Sequence, residues 1–167
     1  ELPDAEDLRE ERATAVYGLG AALIRAGRRD EAKRILLDGL QRGCSGYSRM
    51  RITNALSTAT MYLGDFTEAL RWIDEAAMCA ESVGAESFKP RIFSNRAGIL
   101  YTMGRLRESV DQDTLSSQWA RRLGNPLEYA AACSGMAVNL ILLGRYDDAI
   151  DQASESRRAA ERAGDIR

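Results

Sequence analysis

The sequence predicts an all-α chain, a solenoid of four antiparallel helix-turn-helix repeats. Three observations carry this. Glycine recurs in two series: Gly27, Gly64, Gly104 and Gly144 at spacings of 37, 40 and 40, and Gly43, Gly84, Gly124 and Gly164 at spacings of 41, 40 and 40. Small residues hold three columns at fixed offsets from the first series. Larger apolar residues fill other columns at three-to-four-residue offsets, the spacing of a helix stripe and not of a strand.

Each unit reads as a helix, a tight turn at the first glycine, a second helix and a stop at the second glycine. The repeats run over about 8–43, 48–84, 86–124 and 125–164, in a single array covering 1–167. Asp4 is placed to cap the opening helix, with Asp7 three residues on. In repeat one only 16 residues separate Gly27 from Gly43, against 20 in the others, so its second helix is expected to be one turn shorter. The "CSGYSR" that follows reads as the loosest connection. Pro90 fits the first turn of the helix opening repeat three, and Asn125-Pro126 marks the start of repeat four.

The small columns are Gly20, Ser57, Ala97 and Ala137; Ala32, Ala69, Ser109 and Ala149; and Gly39, Ala76, Ser116 and Ser156. Small side chains there let antiparallel helices approach closely at their crossing. The larger inner columns are Leu19, Leu56 and Met136; Leu23, Leu100 and Leu140; Phe66, Leu106 and Tyr146; and Leu70, Val110 and Ile150. Repeat three breaks the pattern twice. Arg96 stands in the column of Leu19, Leu56 and Met136, and Asp113 in that of Leu36, Ile73 and Ala153, which suggests a partly buried Arg96–Asp113 ion pair.

Composition narrows the function. With 45% hydrophobic and 29% charged residues the balance is globular, and a net charge of −2 gives no pull toward nucleic acid. No apolar run approaches the roughly 20 residues of a membrane span, so a cytoplasmic location is expected. The chain lacks histidine, which removes the commonest general base and metal ligand. Cys44, Cys79 and Cys133 are dispersed without CxxC spacing and read as small buried hydrophobes. The carboxylates of "DAEDLREE" and "DEAA" sit at helix ends, where they complement the dipole instead of forming an acid/base couple. We therefore expect no enzymatic activity, no metal and no cofactor.

The columns resemble the tetratricopeptide repeat, with its small residue on the first helix, turn glycine, aromatic two positions later and alanine beyond. The resemblance covers about residues 8 to 164 and departs from the pattern in its 40-residue period, its missing early tryptophan and its missing closing proline. It implies a right-handed superhelix whose concave face is lined by the first helices and binds protein or peptide. The ends "CAESVGAES", "ARRLGNPLE" and "AERAGDIR" are similar to two groups, the arrays of bacterial multidomain transcription regulators and signalling ATPases, and scaffolds of the kinesin-light-chain and spindle-orientation kind. The arginine-rich, alanine-rich composition, with 21 arginines against 2 lysines, points to the bacterial group.

By register, the implied groove presents Tyr17, Arg51, Asn54, Thr58, Tyr62, Arg91, Ser94, Asn95 and Tyr101, with Val138, Ile141 and Leu142 in repeat four. Guanidinium groups would meet carboxylates, amides the backbone, and tyrosines and aliphatics apolar anchors. The family's carboxylate clamp for chaperone tails is not expected, because Tyr17 and Ala21 occupy its first positions and only Arg91 and Asn95 echo its later part. The expected function is a non-catalytic protein- or peptide-binding scaffold. The alternative is a regulatory sensor or oligomerisation segment of a larger bacterial regulator or signalling ATPase. The expected partner is a protein or peptide, or another domain of the same polypeptide, with homodimerisation through the solenoid ends also open.

Overall fold

The computed structural model describes residues 5–164; the expected Asp4 cap lies outside them. The chain divides into two compact units, Glu1–Glu86 and Ser87–Arg167. The first holds α1 (Ala5–Arg25), α2 (Arg29–Gln41), α3 (Gly46–Tyr62) and α4 (Phe66–Ser82). The second holds α5 (Lys89–Thr102), α6 (Leu106–Arg122), α7 (Pro126–Leu142) and α8 (Tyr146–Arg162). A single 3-10 turn at Glu86–Phe88 precedes α5. In both units the helices pair in sequence, and the described residues contain no strand.

The glycine turns have a common local cause. At Gly64 the backbone enters the left-handed region at φ +87°, and at Gly144 at φ +74°, which only glycine does without steric cost. The chain then closes each first helix in the same way. Gly64 N–H donates to the Met61 carbonyl (3.0 Å) and Asp65 N–H to that of Thr60 (3.2 Å), while Gly144 and Arg145 N–H donate to Ile141 and Leu140 (3.0 and 2.9 Å). This crossed pair satisfies carbonyls that would otherwise end the helix unpaired.

Helix starts use two devices. Ser45, Asp65 and Asn125 cap α3, α4 and α7 by accepting the backbone N–H three residues on, at 3.3, 2.9 and 3.1 Å. Helices α2, α6 and α8 follow an arginine with no capping oxygen; instead Arg28, Arg105 and Arg145 pair with Glu31, Glu108 and Asp148 in the first turn. Pro90 and Pro126 lie in the first turns of α5 and α7, as the sequence indicates. Helix α2 has 13 residues where α4, α6 and α8 have 17, the expected one-turn difference. The "CSGYSR" stretch is tighter than expected. Glu10 of α1 accepts the Ser45 and Ser48 hydroxyls at 2.8 and 2.7 Å, and α3 begins at Gly46.

The small columns sit at the helix crossings. Ala32, Ala69 and Ser109 are fully buried. In the first unit, Leu36, Ile52, Ala55 and Leu56 form one core cluster with Ala13. A Cβ at Gly20 would lie 2.6 Å from Leu36 Cδ2, so glycine is what admits leucine there. In the second unit, Cys133, Met136, Leu140 and Ala149 form the core with Val110 and Tyr129 against them. Its small column residues also bond across the crossing: Ser109 Oγ donates to the Ala97 carbonyl, Ser116 to Pro90 and Ser156 to Ala130, at 2.8–2.9 Å.

Three inner-column residues are exposed, contrary to expectation. Leu19 is 50% exposed, although Leu56 and Met136 in its column are buried. That column packs on the preceding repeat, as Leu56 does with Leu36, and α1 follows no described helix. Tyr146 and Ile150 are exposed on α8, the last described helix. Of the cysteines, Cys133 is buried and Cys44 and Cys79 are half-buried, all as free thiols.

Candidate functional site

The first-helix faces carry the residues singled out in the sequence, each within its own unit. In the first unit Arg51 of α3 lies over the Tyr17 ring of α1, its guanidinium carbon 4.0 Å from the centroid. Asn54 is buried, not exposed as its register suggested, and Thr58 Oγ1 reaches its carbonyl at 3.4 Å. Tyr62 is exposed and packs under Arg29 from the start of α2 (4.6 Å).

In the second unit Arg91 pairs with Glu128 at 2.8 Å, tying the first turns of α5 and α7 together. Asn95 is half-buried. Ser94 bonds the Ser116 hydroxyl beneath it at 2.9 Å, and Tyr101 is exposed. Ser94 and Tyr101 come together in a cleft of about 260 Å³ between α5 and α7, floored by α6. Its rim is Tyr101 and Val138, 41% and 44% exposed; its floor holds Ser109, Asp113, Gly135 and Asn139.

The floor is polar yet buried. Asp113 is 4% exposed and Asn139 2%. The carboxylate lies against α7 where Gly135 makes room: a Cβ there would sit 2.5 Å from Asp113 Oδ2. In the first unit the corresponding relation is apolar, with Leu36 packed against Ala55. Burial pushes the Asp113 carboxyl up to about 7. An ion pair with Arg96 would have held it down, so the pair expected from the sequence does not govern this carboxylate. Asn139 Nδ2 donates to Ser109 Oγ (3.0 Å) and to the Gly135 carbonyl (2.9 Å).

Register alone put neither Asp113 nor Asn139 in a binding site. The available signal was the charged residue at a column otherwise filled by Leu36 and Ile73. Among the described residues no helix is long and apolar enough to cross a membrane, and no cluster of three or more ligating side chains is placed to hold a metal.

No protein-family model matches the chain, and no curated protein sequence matches it. Solved structures do. The chain is similar to the crystal structure of a Signal Transduction ATPase with Numerous Domains (STAND) protein with a tetratricopeptide repeat sensor, from Pyrococcus horikoshii. The TM-score is 0.81 at 16% identity over 92% of this chain, which spans only 24% of that one. It is also similar to MamA MSR-1, with TM-score 0.60, 15% identity and coverage of 90% and 78% of the two chains. A MamA variant matches with TM-score 0.56, 16% identity and coverage of 88% and 77%. The fold is therefore the all-α helical-repeat fold of tetratricopeptide type.

Proposed function

We propose that this chain is a non-catalytic, cytoplasmic scaffold that binds a protein or peptide segment on the first-helix faces. The observation that carries this reading is the cleft between α5 and α7. An exposed aromatic and an exposed valine frame a recess floored by buried polar groups, the arrangement of an anchor pocket with a specificity contact inside it. The Tyr17–Arg51 stack supplies a second aromatic and cationic feature on the first unit's own face. A second reading, a sensor segment of a larger regulator, is favoured by the likeness to the STAND protein, of which this chain matches a quarter.

The test is affinity capture with the wild-type chain and with Tyr101→Ala/Val138→Asp, read by mass spectrometry after both are shown to be equally helical. Both positions are exposed, so the fold is expected to survive. A partner captured by the wild type and lost by the variant supports the cleft as the recognition surface. Equal capture by both would refute it.

A further inference from the structure

The cleft of the second unit has an excess of hydrogen-bond acceptors. Asn139 Nδ2 faces the Gly135 carbonyl, which can only accept, so the amide orientation follows and Oδ1 must point the other way. That buried oxygen has no partner. The hydroxyl protons nearby are already committed. Ser109 donates to the Ala97 carbonyl and Ser116 to that of Pro90, which leaves Ser94 to donate to Ser116. The Asp113 carboxylate, on the same floor, can only accept when ionised. A carboxylate buried away from water is costly to ionise, and the cost is relieved by an occupant that brings charged N–H groups to it.

We propose that this cleft receives a cationic side chain of a partner peptide, a lysine ammonium or arginine guanidinium, whose N–H groups are accepted by the Asp113 carboxylate on its floor. The inference rests on the binding-scaffold reading of the same face and specifies the chemistry of its ligand. Size agrees: about 260 Å³ falls below the roughly 300–1,000 Å³ of small-molecule sites and suits one side chain. Gly98 and Gly135 carry no side chain to fill the recess, while Tyr101 and Val138 at the rim offer apolar surface to the aliphatic stem and an aromatic face to the charge. Burial without a cation raises the Asp113 pKa to about 7, and an entering cation would favour the ionised form.

The test titrates the intact chain at about pH 8 with capped pentapeptides, alanine throughout except for a central lysine, arginine or norleucine. Amide shifts of Gly98, Gly135 and Asn139 report occupancy by NMR. The lysine or arginine peptide should bind about tenfold or more tightly than norleucine, the lower end of what a charge-assisted hydrogen bond contributes. Asp113→Asn, shown to be folded by its own spectrum, should bring the cationic peptides to within about twofold of norleucine. Equal binding of norleucine by the wild type, no shifts at these glycines, or undiminished preference in the variant would each overturn the inference. Butylamine binding more tightly than the lysine peptide would overturn the assignment to a peptide partner. Because this titration needs no cellular partner, it can fail while the capture experiment succeeds, so the two readings fall separately.

Discussion

Replacing Asp113 by asparagine should remove a pH dependence that this one carboxyl imposes on stability. The ordinary aspartate value is 3.8, and burial lifts Asp113 to about 7. Below 3.8 the group is protonated whether the chain is folded or not, and it has no effect. Between 3.8 and about 7 the unfolded chain releases the proton while the folded chain keeps it. The folded state then binds more protons, and stability falls as pH rises. Above about 7 both states are ionised and the full penalty persists. At about 1.36 kcal/mol per pH unit, it is on the order of 4 kcal/mol.

Asparagine fills the same space beside Gly135 and has no such proton. The variant should therefore gain on the wild type steadily from about pH 4 to pH 7 and hold its lead above that. The measurement is urea denaturation followed by circular dichroism, both proteins compared at each pH. Comparison matters because Glu10, held below its usual value chiefly by the Ser48 hydroxyl, contributes in the opposite direction: its stabilisation is present above that value and is lost as pH falls. The Cys133 thiol, pushed up by burial, stays protonated over the range, and Tyr101 on α5 faces the same cleft. Parallel stability curves, within about 0.5 kcal/mol at every pH, would refute the reasoning. A variant that is more stable yet binds no cationic peptide would show a binding group retained at the expense of stability.

Two further outcomes test the packing and the caps. Gly20→Ala should cost about 1–3 kcal/mol, since its Cβ would meet Leu36 Cδ2 at 2.6 Å, and the penalty should shrink when Leu36→Ala is combined with it. Strict additivity in the double-mutant cycle would contradict the contact. Asn125→Ala should lower stability by about 1 kcal/mol by removing the acceptor of the Glu128 N–H, and a denaturation midpoint unchanged from wild type would mean that the cap contributes nothing.

The sequence by itself determined the elements. A glycine at each turn, Asn125-Pro126 at the start of α7, and small residues at the crossings act over a few residues along the chain, so spacing and local motif expose them, whereas the Ser45 and Asp65 caps emerge only in the structure. The sequence also marked Asp113 as foreign to its column. The tertiary structure alone decided that this carboxylate lies against Gly135 on α7, because that depends on the crossing of α6 with a helix some twenty residues away. It likewise decided that Asn54 is buried, that Leu19, Tyr146 and Ile150 are exposed, and that the Asn139 oxygen has no donor. A column position says which way a side chain leaves its helix; burial and partnership depend on which other helix lies there, and no local spacing encodes that.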